Sequence, residues 1–208
     1  MIDTAFFITA FVTMFVVIDP VGLAPLFVAL TQGADARHRR AVAIRACGIA
    51  MIILVLFALF GEAVLGFIGI SMPAFRVAGG ILLFITALDM LFERRTKRRA
   101  DQSDAPHNDD DPSVFPLAIP LIAGPGAIAS VILLTGQKPG VEGLALVLAI
   151  TALVLLLCLI FFMAAGLLER ALGQTGITVV TRLLGMLLAA LSVQFVLDGL
   201  RAFGFAPD

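Results

Sequence analysis

The chain has no tryptophan and no tyrosine, although 17 of its 208 residues are phenylalanine. Membrane spans usually seat Trp and Tyr at the two water interfaces, so a membrane protein of this composition must be anchored by other side chains. Charge is scarce as well: Asp, Glu, Lys and Arg make up 14% of the residues, against roughly a quarter in a typical soluble domain. That scarcity excludes an ordinary soluble core and a disordered chain. The two cysteines, Cys47 and Cys158, lie inside apolar runs, which excludes a disulfide scaffold and makes them small core residues. The net charge of −1 offers no polyanion-binding surface, so nucleic acid is not an expected partner. Both histidines, His38 and His107, fall in expected loops, and no Ser/His pair, Cys/His pair or zinc motif occurs. An enzyme and a metal centre are therefore not expected, nor is ATP-driven pumping, for want of a phosphate-binding loop. The first residues, Met1–Ile2–Asp3, carry no basic cluster, so the first apolar run is expected to stay in the mature protein.

What is abundant is apolar surface, at 61% of all positions. One span needs about 20 apolar residues, so the stock suffices for about six. Apolar runs fall near 4–30, 41–62, 71–92, 114–135, 143–168 and 177–203. The fifth contains no charge at all. The third holds Arg76 and Asp89 and the sixth Arg182 and Asp198, each pair near opposite ends of its span, where a long arm reaches the headgroups. The expected fold class is an all-α integral membrane protein with residues 1–92 and 114–208 as two three-span units around a polar loop at 93–113.

Six spans put both termini on one side. The loops on the opposite side, around 31–40, 93–113 and 169–176, hold Arg37, Arg39, Arg40, Arg94, Arg95, Lys97, Arg98, Arg99 and Arg170, whereas the terminal side holds only Lys138 and Arg201. Basic residues favour the cytoplasmic face, so loop 93–113 is expected in the cytoplasm and both termini outside. The arginine clusters then take the anchoring role that Trp and Tyr leave vacant. The stretch His107–Asp111 offers cation ligands but no ligand spacing, and reads as a solvated linker.

Residues 62–71 and 169–178 share Glu, Leu, two Gly and Ile at a constant offset of 107, with Ser71 answering Thr178. Each is followed by Arg-x-x-Gly, Arg76 to Gly79 and Arg182 to Gly185, and preceded by a proline inside an apolar run, Pro20 and Pro125. The chain thus reads as two copies of a three-span unit. Because three is odd, the second copy enters from the opposite face, giving a 3+3 inverted repeat, an architecture of secondary transporters in which one half rocks against the other.

The prolines interrupt spans 1 and 4, at Asp19–Pro20–Val21–Gly22 and at Gly124–Pro125–Gly126–Ala127. Pro20 removes an amide donor, and Asp followed by Pro suits an N-cap and first-turn pair. Backbone freed in this way is tolerated at membrane depth only where it is buried or lines a wet cavity. Half-helix N-termini favour a carboxylate, and Asp19, the only acid expected deep in a span, favours an ammonium group or a coupling proton. Asp19, Pro20, Gly22, Gly124, Pro125, Gly126 and Ala127 are therefore the candidate solute-binding residues. Arg76, Arg182 and Asp89 are candidates for ion pairs or gates at the span ends. Thr13, Thr86, Ser130 and Gln194 add polar groups within spans, where single hydroxyls and amides often bond across helices.

Four motifs resemble the MarC family of six-span bacterial inner-membrane proteins: Asp19–Pro20–Val21–Gly22, residues 75–84 (FRVAGGILLF), residues 87–91 (ALDML) and residues 115–128 (FPLAIPLIAGPGAI). The similarity covers nearly the whole chain. It implies an integral inner-membrane protein of the group also called the six-span neutral amino acid transporter family. Leu23 departs from the Asn common at that position in the family, so a role for that amide is not carried over. The leading expectation is a secondary transporter of a small zwitterion such as a neutral amino acid, coupled to H+ or Na+ and needing no cofactor; the alternative is a non-transporting membrane scaffold or regulator. The lipid bilayer, a small solute and a second copy of the chain in a homo-oligomer are the candidate partners.

Overall fold

The structure is a computed structural model that describes residues 4–94 and 112–205; the acidic stretch 107–111 lies outside them. Eight helical segments follow one another: α1 (Thr4–Ile18), α2 (Pro20–Leu30), α3 (Ala36–Ile68), α4 (Met72–Leu91), α5 (Ser113–Ile122), α6 (Pro125–Gln137), α7 (Val141–Met163) and α8 (Ala165–Ala202). Among the described residues there is no strand. Five segments are long and apolar enough to cross a membrane, with Thr4–Leu30 taken as one, and a sixth is obtained if α5 and α6 form one bent span. Leu, Ile and Phe side chains such as Ile52, Phe60, Leu156 and Leu183 are exposed along these helices, which in a bilayer is the lipid-facing surface.

Local signals start and stop the helices. Asp35 caps α3 by accepting the amide of His38 at 2.7 Å, and Ser71 caps α4 through the amide of Ala74 at 3.3 Å. Because Asp35 nucleates α3 ahead of its apolar run, Arg37, Arg39 and Arg40 are helical rather than in the loop that the run boundaries suggest. At the far end Gly69, at φ +85°, stops α3; the Ile70 amide reaches back to Leu65 O at 2.8 Å, the closing bond of a Schellman turn. The equivalent glycines of residues 169–178 act differently. Gly173 (φ 60°, ψ 178°) breaks α8, while Gly176 lies within the helix. Arg170 accordingly sits on a helical turn, not in a loop spanning 169–176.

Close glycine contacts set the packing. A Cβ on Gly80 would stand 2.8 Å from Val196 Cγ2, one on Gly185 2.9 Å from Met90 Cβ, and one on Gly199 2.7 Å from Val77 Cγ2. The partners descend along α4 as they ascend along α8, so the two helices run antiparallel with backbones in near contact, the small-residue packing common in membranes. Helix α6 runs antiparallel to α4, with Gly136 against Met72 and Gly79 against Leu133. It is also antiparallel to α1: Gly126 meets Val17, and the Lys138 ammonium lies 5.7 Å from the Phe6 ring centroid. Cys47 and Cys158 are buried and form no disulfide, and their thiols meet across the α3–α7 interface.

Candidate functional site

Two interruptions of the helical backbone come together in the interior. The first is at Asp19, which adopts φ 58°, ψ 65°, the left-handed region that Asp tolerates better than most residues. Its side chain is fully buried, and Oδ1 accepts the Gly22 amide at 3.0 Å. The expected Asp-Pro cap is present, but with a left-handed rather than an extended capping residue. The reason lies three residues on: a Cβ on Gly22 would come within 2.2 Å of Asp19 Oδ2, so glycine alone leaves room for the carboxylate to fold back. Pro20 is the first residue of α2 and is buried; Leu23, the family departure, is buried as well.

The second interruption lies between α5 and α6, whose axes differ by 54°. Segment α5 has wide, irregular turns, and Phe115 (φ −128°, ψ 128°) and Ile119 (φ −127°, ψ 126°) inside it are extended. Each precedes a proline, which disfavours the helical conformation; both X-Pro bonds are cis. The chain leaves α5 at Ala123, and Gly124 caps α6 with extended backbone. A Cβ on Gly124 would lie 2.4 Å from the Pro120 carbonyl oxygen. Pro125 is exposed, Gly126 half-buried and Ala127 buried.

The two breaks are neighbours. A Cβ on Gly126 would lie 3.1 Å from Val17 Cγ1 and 3.8 Å from Thr86 Oγ1, so the start of α6 packs against the end of α1 and the middle of α4. With Val17 opposite Gly126 in an antiparallel pair, Thr13 and Ser130, each one turn further along, stand level with one another. Both are fully buried, and neither hydroxyl has a hydrogen-bond partner among the described residues. By contrast, the buried Thr151 hydroxyl donates to Val147 O at 2.8 Å, and Thr86 donates to Leu82 O at 2.9 Å. Leaving a buried hydroxyl unsatisfied costs about 1–3 kcal/mol. Two at one level of one interface therefore form a polar spot able to take a ligand, an ion or water.

The charged residues occupy the two ends of the α4–α8 pair. Arg182 on α8 pairs with Glu93, which follows α4, at 2.5 Å. At the other end Arg76, Gln137, Gln194 and Asp198 line a cavity of about 290 Å³ with Phe6, Thr9 and Phe195. There Asp198 Oδ1 accepts from Gln194 Nε2 at 2.8 Å, while the buried Nε of Arg76 has no hydrogen-bond partner among the described residues. An apolar groove lined by Ile8, Val12, Leu187 and Ala190 adjoins this cavity through Thr9, Leu191 and Gln194. Asp89 is buried on α4, between these two ends. No group of three or more His, Cys, Asp or Glu suited to a metal is found among the described residues.

Glu93, Gln137 and the joining of Asp198 to Arg76 in one cavity were not foreseen. A signal was available: an acid follows the Arg-x-x-Gly arginine after a near-constant interval in both halves, Arg76 to Glu93 and Arg182 to Asp198. In the antiparallel pair each arginine then faces the acid of the other half.

The family profile described as MarC family integral membrane protein matches residues 4–203. The chain belongs to the MarC family. Among its relatives, a UPF0056 membrane protein of Archaeoglobus fulgidus is 40% identical over 200 residues, covering 94% of this chain and 92% of the relative. One from Methanocaldococcus jannaschii is 36% identical over 201 residues, covering 96% and 98%. The UPF0056 membrane protein YvbG of Bacillus subtilis is 35% identical over 200 residues, covering 95% of each. The MarC family thus reaches archaea as well as bacteria, and its members are multi-pass integral membrane proteins. No solved structure matches the chain.

Proposed function

We propose that this MarC-family protein is a secondary transporter of a small zwitterion, with a neutral amino acid as the leading candidate, built as a 3+3 inverted repeat whose spans 1 and 4 are interrupted. The observation that carries this is the pair of buried, unpartnered hydroxyls of Thr13 and Ser130, level with each other and one turn beyond the Val17–Gly126 contact where the two breaks meet. A transport protein has reason to keep polar groups unsatisfied at that depth, since the solute or coupling ion satisfies them in turn. A bundle packed for rigidity has none.

The cavity at Arg76 supplies the complementary entry chemistry. A guanidinium suits a carboxylate and Asp198 suits an ammonium group, and both line one space of about 290 Å³. The opposite end is held by the Arg182–Glu93 pair. An open end facing a paired end fits alternating access, with H+ or Na+ as coupling ion. Asp19 then caps α2 and offers its carboxyl to the solute ammonium or a coupling proton, and Gly124–Ala127 present the α6 N-terminus to the solute carboxylate. The arginine-rich end faces the cytoplasm of a plasma membrane, with both termini outside, in keeping with the nine basic residues that cluster around 37–40, 94–99 and 170 in the sequence.

A thermal-shift screen of the purified protein against amino acids, with and without sodium and at two pH values, tests the proposal. A saturable rise in Tm for zwitterionic amino acids, lost in a Thr13→Val, Ser130→Ala protein that still folds, is the expected result. A flat response to every solute counts against it.

A further inference from the structure

At the arginine end a second cavity, of about 340 Å³, opens between the start of α3, the end of α7 and the start of α8. Arg39 and Arg170 line it together with Phe162, Met163, Gly166 and Leu167. We propose that this cavity is a binding site for an anionic phospholipid, its phosphate held by Arg39 and Arg170 and an acyl chain lying over Met163 and Leu167.

Three features carry the assignment. Arg39 is the half-buried member of its cluster, whereas Arg37 and Arg40 are exposed. Its guanidinium stands 5.7 Å from the Phe27 ring centroid, and Phe27 is itself stacked on Phe162 at 4.5 Å with an interplanar angle of 6°. A cation seated on a ring stack is oriented rather than free to snorkel. The arginines have an apolar shelf beside them: Met163 and Leu167 are 46% and 70% exposed. Two arginines over apolar surface match a phosphate with its acyl chain and do not match a free anion, which has no use for the shelf. Finally, the site lies where the uncharged apolar run 143–168 ends, just before Arg170, the depth at which lipid phosphates stand, and basic pockets of this kind between spans take anionic headgroups. An interface without Trp or Tyr then has a lipid as part of its anchor. None of this depends on transport.

The test uses the full chain in detergent, with Tm followed as phosphatidylglycerol, phosphatidylethanolamine or inorganic phosphate is added. Phosphatidylglycerol is expected to raise Tm saturably, and phosphatidylethanolamine and phosphate at equal concentration are not. Arg39→Gln with Arg170→Gln should weaken apparent phosphatidylglycerol affinity about thirtyfold, at about 1 kcal/mol for each basic residue. Arg37→Gln with Arg40→Gln, which removes the same charge outside the cavity, should leave it within about threefold. If Arg39→Gln/Arg170→Gln folds poorly, Arg39→Lys/Arg170→Lys replaces it and should still weaken affinity by losing the fork. An equal loss in both pairs, an unchanged affinity in the Arg39/Arg170 variants, or a full shift with phosphate alone overturns the site.

Discussion

Arg182 and Glu93, 89 residues apart in the chain, meet with Nη2 at 2.5 Å from Oε1 across the end of the α4–α8 pair. At the other end of the same pair Arg76 and Asp198 line one cavity. The arrangement follows from two antiparallel helices in which an arginine is followed 16 or 17 residues later by an acid, Arg76 to Glu93 and Arg182 to Asp198. One end of the helix pair carries an ion pair, and the other holds polar groups around space.

The ion pair itself adds little to stability. Its side chains are 49% and 51% exposed, and exposed pairs are worth about 0–1 kcal/mol. Arg182→Gln should therefore lower Tm in detergent by no more than about 4 °C, and exchanging the charges in Arg182→Glu/Glu93→Arg should recover most of it. A fall beyond about 10 °C, far outside that scale, would show that the pair holds the fold together. On the transport reading the single variant alters uptake more than it alters Tm.

Gly22 and Asp19 separate capping from charge. Gly22→Ala puts a Cβ 2.2 Å from Asp19 Oδ2, displacing the cap and exposing the first amides of α2; the expected cost is about 1–2 kcal/mol, read as a lower Tm. Asp19→Asn keeps a side-chain acceptor and a residue at ease with left-handed backbone, so it should cost less than Gly22→Ala while removing the ionisable group. A larger loss of Tm from Asp19→Asn than from Gly22→Ala would contradict this division.

Gly124 and Gly66 make a matched pair on the side of packing. Gly124→Ala brings a Cβ to 2.4 Å from the Pro120 carbonyl oxygen, a backbone atom with little room to move, and overpacking of this kind costs about 1–3 kcal/mol. A Cβ at Gly66 meets nothing within 4 Å; alanine there should raise stability by about 0.5–1 kcal/mol, the ordinary helical gain. Thermal melts of the two single variants should move in opposite directions.

Much of this was legible in residue order. The apolar runs located the long helices, because a span requires length and low charge and little else. Asp19–Pro20 announced a helix start, since a cap and a proline at the first turn use only local geometry. The left-handed Asp19 was not legible, because it depends on how closely Gly22 lets the carboxylate return. The extended Phe115 and Ile119 follow from the prolines after them, but the 54° bend depends on what α6 packs against. Thr13 and Ser130 were ordinary span hydroxyls in the sequence; only the α1–α6 register brings them level, and only burial leaves them unpartnered. Glu93 reads as the first residue of the polar loop and does follow the end of α4; its pairing was not legible, because the partner lies on a helix from the other half of the chain.

The central claim is that the buried polar spot beside the two breaks receives a zwitterionic solute in transit. Counterflow of labelled neutral amino acids in proteoliposomes measures it most directly, since exchange needs a solute site that opens to both sides in turn. Saturable exchange by the wild-type protein, abolished in Thr13→Val/Ser130→Ala with its Tm retained, is the result expected. Absence of exchange for every amino acid, or exchange undiminished in that variant, would contradict the account and leave the non-transporting scaffold in its place.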